Sequence, residues 1–269
     1  MPGDVWAPAP AGPLALAEDQ VHVWRASLRP ASEVLARLEA TLSADERARA
    51  ARYRFDEHRT AFVAGRGVQR RILSRYTGLA PAELAYREGS HGKLELNGAA
   101  AALGIRFNVS NSGDLALYAL TRRREIGVDL ERLKPMPDGG DIARRFFSAP
   151  ENEVFATVSE DERDLAFFLC WTRKEAYIKA VGEGLSMPLD CFDVAFAPGE
   201  PARILRTRGN PAEAGRWTML SLDPAPGYVG ALAVEGDGWR PVLYDWDATA
   251  EVRAGSHSSK SHGAARRDA

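Results

Sequence analysis

The stretch REIGVDLERL, Arg124–Leu133, decides how the rest of the chain is read. Ile126, Val128 and Leu130 fall on one face of a period-two pattern, and Glu125, Asp129 and Glu131 fall on the other, which predicts a strand. Two carboxylates two positions apart on a strand sit roughly 7 Å from each other. When both are ionised they repel, so the acidic face calls for a positive charge lying over it.

Working outward, GIRFNV and LALYALT read as two further strands joined by the polar turn SNSGD. Upstream, VHVWRA (Val21–Ala26) alternates like a strand, and helical patterns follow at SEVLARLEATL and SADERARAARYRF. The second of these opens with Ser43 and carries Glu46 three residues on, the signature of a capping box. Asp56–Gly78 reads as a longer helix ended by glycine. Downstream, helical patterns surround DIARRFF and APENEVFATV, and a long helix is expected from about Glu160 to Val181. Strands are expected at CFDVAF, RWTMLSL and YVGALAV. The order of strand, helices, long helix and strands thus occurs twice, with the boundary near Glu125. Runs of both elements without strict alternation predict an α+β fold of two similar halves. The expected division is a loose leader over 1–20, halves over 21–125 and 126–248, and a disordered tail over 249–269.

The 269 residues are 45% apolar and 27% charged with a net charge of −2, an ordinary globular composition with no global affinity for polyanions. Cys170 and Cys191 show no disulfide or metal spacing, which suits a reducing, cytoplasmic setting. No signal segment and no apolar run of membrane-spanning length is present. Neither nucleic acid nor membrane is therefore an expected partner. Motifs for P-loops, dinucleotide binding, zinc proteases and serine hydrolases are lacking.

Four stretches carry chemistry. In FFLCWTRKEAYIKAVGEGL (Phe167–Leu185), Glu175 and Lys179 are four residues apart, the spacing of an ordinary helix-supporting ion pair. Lys174 projects toward the apolar side, either to snorkel or to reach an anion. Arg59, Arg66 and Arg70 fall within roughly 40° on a helical wheel. Between Asp45 and Arg75 there are nine arginines and four acids, so this stripe is either a solvated face or a phosphate site. FNVSNSGD (Phe107–Asp114) ends in a turn able to aim donors at an anion, or in a plain hairpin turn. HGKLEL (His91–Leu96) presents Lys93 after a glycine. Taken together, Asp129, Glu131 and Glu175 suit a hard cation such as Mg²⁺, and the cations suit a phosphorylated ligand.

GVDLE (Gly127–Glu131), followed by WTRKEAYIKAVGEGLSMPLDCF (Trp171–Phe192) and preceded by FNVSNSGD, resembles the Sfp-type 4′-phosphopantetheinyl transferases. The resemblance runs from about Val21 to Val234. It implies two similar α+β halves with coenzyme A between them, and transfer of phosphopantetheine from coenzyme A to a serine of an apo carrier protein, with release of 3′,5′-ADP. On the same resemblance Asp129, Glu131 and Glu175 match Mg²⁺-binding acids, and Lys174 and Lys179 match lysines near the pyrophosphate. Ser110 and Asn111 match a Ser-His pair that contacts coenzyme A, and Lys93 matches the lysine of a Gly-Lys-Pro motif. Arg59 and Arg70 resemble residues that hold the adenosine 3′-phosphate, and Arg66 is added from the wheel. Glu175 is the candidate base, in competition with its role as a ligand, and Lys179 is expected to stabilise the leaving phosphate. Asn111 in place of histidine cannot carry charge, and Leu94 in place of proline loosens Lys93.

The carrier is expected to dock near Arg144, Arg145, Phe146 and Phe147, and the enzyme to act as a monomer. Three other readings share parts of this pattern: a different Mg²⁺-dependent phosphoryl enzyme, a nucleic-acid module built on the arginine helix, and a degenerate member that only binds coenzyme A.

Overall fold

The computed structural model describes residues 4–89 and 91–248 and is a mixed α+β fold. In chain order, β1 is Ala7–Pro8, β2 Gln20–Ser27, α1 Ser32–Glu39, α2 Ala44–Ala51 and α3 Asp56–Thr77. The hairpin β3 (Ala85–Glu88) and β4 (Leu94–Asn97) comes next, then β5 (Ile105–Ser112), β6 (Leu115–Arg122) and β7 (Ile126–Arg132). The remainder is α4 (Gly139–Phe146), α5 (Ala149–Thr157), α6 (Arg163–Val181), β8 (Phe192–Val194), β9 (Ile204–Thr207), β10 (Trp217–Leu222), β11 (Tyr228–Glu235) and β12 (Arg240–Asp245).

Local chemistry sets the helix ends. Ser43 and Glu46 form the capping box at the start of α2, each side chain bonding the other's backbone N–H. Gly78 ends α3 and Gly182 ends α6, both in the left-handed conformation that glycine adopts without steric cost. A second capping box, Ser148 with Glu151, opens α5.

Two sheets organise the molecule. One has the order β1-β12-β2-β6-β5, the other β10-β11-β7. The long helix α3 covers the first sheet, burying Ala64, Val68 and Ile72 among Trp24, Tyr118 and Leu120. The long helix α6 lies on the second, with Ala176, Tyr177 and Ala180 in one core with Ala231 and Ala233. Between the sheets, Val21, Val23, Leu117 and Ala119 meet Ile126, Val128, Leu130 and Leu232. The apolar face of β7 therefore points at the first sheet, and Gly127, Asp129 and Glu131 lie on its opposite face, toward α6. Glycine is required at 127 because a Cβ there would stand 2.0 Å from the carbonyl oxygen of Ala176. That close approach seats α6 directly over the acidic face.

Long-range pairing changes the expected division of the chain. Strand β12 lies parallel to β2, so the last strand of the 126–248 segment belongs to the sheet of the first half. Within the expected leader, Ala7 and Pro8 pair with Tyr244 and Asp245, and Leu16 is buried. The stretch 249–269, read as a tail, lies outside the described residues. The turn after β5 is also shorter than SNSGD implies. Ser112 pairs with Leu115, which leaves Gly113 and Asp114 as the loop and makes Ser110, Asn111 and Ser112 strand residues.

Candidate active site

A cleft of about 640 Å³ opens between the halves. One wall is α3, which presents His58, Ala61, Phe62, Gly65, Arg66 and Gln69. The β3–β4 loop contributes His91 and Lys93, β5 contributes Asn108 and Asn111, and the end of α6 contributes Ile178 and Lys179. Arg49 of α2 completes it, its guanidinium 5.2 Å from the Phe62 ring centre. The lining carries cations and no carboxylate, which suits a polyanionic ligand.

Lys179 joins this cleft to the acidic face of β7. Its ammonium donates to Asp129 Oδ1 at 2.6 Å and to Ser110 Oγ at 3.1 Å, rather than pairing with Glu175 one turn away. Ser110 donates to the same carboxylate oxygen at 2.8 Å, and Ser112 donates to Glu131 Oε2 at 2.7 Å. The other oxygen of Asp129, Oδ2, is buried without a hydrogen-bond partner. Burial raises the pKa of Glu131, which the Ser112 hydroxyl opposes and Asp129 reinforces. Burial is also the leading cause that raises Glu175, with Asp129 and Glu131 adding to it and Lys179 opposing. The three acids thus share one field. Yet among the described residues no three of His, Cys, Asp and Glu are drawn together as a formed metal centre. Asp129 is tied to Lys179 and Glu131 to Ser112. The orphaned, hard oxygen of Asp129 and the two acids beside it fit a divalent cation.

Several expected residues stand elsewhere. Lys174 is fully buried and does not reach the cleft. Its ammonium pairs with the Glu151 carboxylate at 2.8 Å and donates to the carbonyls of Leu189 and Phe192. Arg70 is likewise buried, bonded to Glu46 at 2.6 Å and to the carbonyls of Pro81 and Leu84. The anion that the arginine stripe requires is internal: Glu46 serves Arg66 and Arg70, and Glu39 serves Arg59. Arg59 lies outside the lining, but its pair is half-exposed and so weak enough to exchange for a phosphate. Lys93 lines the cleft while bonded to Glu125 at 3.0 Å and to the Ala180 carbonyl at the end of α6. At the proposed docking surface Arg144 and Arg145 are exposed, whereas Phe147 is a core residue stacked on Phe167.

Sequence reasoning missed Arg49, His58 and His91. The cleft face of α3 is turned about a quarter of the wheel from the arginine stripe. Its mark in the sequence is the pair of small residues Ala61 and Gly65, four apart, flanked by His58 and Gln69.

Comparison with known proteins matches these same segments. Residues 125–233 match the model of the 4′-phosphopantetheinyl transferase superfamily, and residues 26–122 match that of the 4′-phosphopantetheinyl transferase N-terminal region. Over 241 residues the chain is 41% identical to the 4′-phosphopantetheinyl transferase HetI of Nostoc sp., covering 90% of this chain and 98% of that one. It is 34% identical over 149 residues to the 4′-phosphopantetheinyl transferase Sfp of Bacillus subtilis, covering 55% and 63% of the two chains. To psf-1 of Bacillus pumilus the identity is 31% over 197 residues, or 72% and 80% of the chains.

Proposed function

The chain belongs to the 4′-phosphopantetheinyl transferase superfamily, and from that premise we propose that the cleft between α3, β5 and α6 is its coenzyme A site. The enzyme moves phosphopantetheine from coenzyme A to a serine of an apo carrier protein and releases 3′,5′-ADP. The observation that carries the placement is the meeting of a cation-lined cleft with three acids at one residue, Lys179.

Arg49, Arg66 and Lys93 bind the phosphates of the ligand, joined by Arg59 at the mouth when it leaves Glu39. Asp129, Glu131 and Glu175 would hold Mg²⁺, with Asp129 Oδ2 as the oxygen in want of a partner. When bound, Mg²⁺ supplies positive charge against the negative charge that develops on the phosphoryl oxygens. The carrier serine attacks the phosphorus on the pantetheine side, and the bond from that phosphorus to the bridging oxygen breaks. Glu175 is the group placed to take the serine proton, through a carboxylate oxygen not given to the cation. Lys179, held in place by Asp129 and Ser110, stabilises the charge on the departing 3′,5′-ADP.

Two free cysteines and the lack, among the described residues, of a helix able to cross a membrane suit a cytoplasmic enzyme. The carrier docks on α4, where Arg144 and Arg145 offer charge to an acidic partner. Incubation with coenzyme A, Mg²⁺ and a panel of apo acyl- and peptidyl-carrier domains, read by intact mass, tests this. Carriers should gain one phosphopantetheine each, with 3′,5′-ADP formed in equal amount. Failure across the panel, or product from a carrier lacking its serine, would overturn it.

A further inference from the structure

Strands β5 and β7 stand at facing edges of the two sheets, and among the described residues no backbone ladder joins them. Side chains of β5 take its place. Asn108 Oδ1 accepts from the Val128 N–H at 2.9 Å, Ser110 donates to Asp129, and Ser112 donates to Glu131. These three residues are spaced by two, so one face of β5 meets successive groups of β7. The two serines are not equivalent. Ser110 shares Asp129 Oδ1 with Lys179, so Asp129 stays anchored without it. Among the described residues, the Glu131 carboxylate accepts a hydrogen bond from Ser112 and from no other group. The Ser112 oxygen also accepts the Arg132 N–H at 3.1 Å. A hydroxyl has one proton to give, and with a donor already seated on its oxygen that proton is aimed at Glu131.

We propose that Ser112 is a positioning residue for the metal site, fixing the Glu131 carboxylate so that one of its oxygens is presented to the cation. It does not line the coenzyme A cleft. The inference rests on the reading of Glu131 as a metal ligand. Groups that orient metal ligands in this way commonly change metal affinity tenfold or more when removed.

The test is direct Mn²⁺ binding to the full chain with coenzyme A present, followed by electron paramagnetic resonance, alongside the Mg²⁺ dependence of turnover. Ser112→Ala should weaken Mn²⁺ binding roughly tenfold. At saturating Mg²⁺ its kcat should return close to that of the unaltered enzyme. Ser112→Thr, which keeps the hydroxyl, should restore the affinity. Ser112→Cys keeps the size with a poor donor, so it should behave like alanine; it decides the matter if alanine unfolds the chain. Affinity unchanged in the cysteine and alanine variants, with Glu131→Gln strongly weakened, overturns the role of Ser112 and leaves Glu131 a ligand. Affinity unchanged in Glu131→Gln as well removes Glu131 from the metal site and this proposal with it.

Discussion

Lys179 and Asp129 form an ion pair of 2.6 Å across the α6–β7 contact, made to one carboxylate oxygen while the other is buried without a partner. One carboxylate thus faces two tasks: Oδ1 fixes the lysine, and Oδ2 is left for a cation. In the presence of coenzyme A, Mg²⁺ at a hundred times its Kd should raise stability by about 2.7 kcal/mol through mass action. Asp129→Ala should abolish that gain in thermal unfolding. Lys179→Ala should leave the buried Asp129 carboxylate with the Ser110 hydroxyl as its remaining donor and cost about 1–3 kcal/mol without metal. A normal Mg²⁺ response in Asp129→Ala would remove Asp129 from the metal site.

Lys174 gives the opposite case, a cation that serves the fold. Removing it strands Glu151, which also accepts the N–H groups of Ser148 and Val194. Lys174→Ala should lower stability by about 3–5 kcal/mol in denaturant unfolding. Its folded fraction should bind coenzyme A as the unaltered protein does. Weakened binding at normal stability would return the ammonium to the pyrophosphate.

The same contrast separates Arg66 from Arg70. Loss of a charge-assisted contact costs about 1.5–3 kcal/mol, so Arg66→Ala should weaken coenzyme A binding by roughly tenfold to over a hundredfold. Arg70→Ala should leave the Kd unchanged and lower the unfolding midpoint, because it releases Glu46 and two carbonyls inside the first half. Calorimetry and thermal unfolding on both variants distinguish them.

What could be read from the sequence divides along the range of the interactions. The alternation of β7, the capping box at Ser43 and the terminal glycine of α3 are local, and each appears where its residues predict. The acidic face was legible as well, since its strain is written within three residues. The partners of Lys174 and Arg70 were not legible because a helical wheel shows where a cation points and not which distant carboxylate receives it. Glu151 lies 23 positions from Lys174, on another helix. The parallel pairing of β12 with β2 and the pairing of β1 leave no periodic trace. His58 was overlooked because the cleft face of α3 is marked by small residues, a weaker signal than a run of arginines.

Stability should depend on pH through a group far from the cleft. His22 is buried, bonded to the Tyr76 hydroxyl and Gln20, and burial, with Arg240 nearby, lowers its pKa from 6.5 to about 4. The unfolded chain therefore takes up a proton at a higher pH than the folded one does. The stabilisation is complete above pH 6.5 and is lost as pH falls toward 4, by about 3 kcal/mol in all. His22→Gln should flatten this part of the stability profile in urea titrations between pH 7 and pH 4. An unchanged slope would assign the acid loss to other groups.

The last prediction concerns the proton dependence of ligand binding. From the sequence, Asn111 in place of a histidine predicts coenzyme A affinity that varies little with pH. The structure places Asn111 exposed on the cleft wall, where its amide is neutral at every pH, but adds His58 from α3 and His91 from the β3–β4 loop. Arg49, Arg66, Lys93 and Lys179 face the same space, and Glu57 stands 3.9 Å from His58. The difference between Asn111→His and the unaltered protein isolates position 111 from these neighbours. An imidazole introduced there can carry charge on the acid side, which the amide cannot, and added positive charge favours a polyanion. Asn111→His should therefore bind coenzyme A more tightly than the unaltered protein toward the acid end of calorimetry run from about pH 5.5 to about pH 7.5. The phosphates of the ligand take up protons in the same range with both proteins, so the difference between the two profiles is the quantity to read. If the profiles superimpose, the side chain at position 111 does not face the phosphates, and the affinity is governed by the other groups of the cleft.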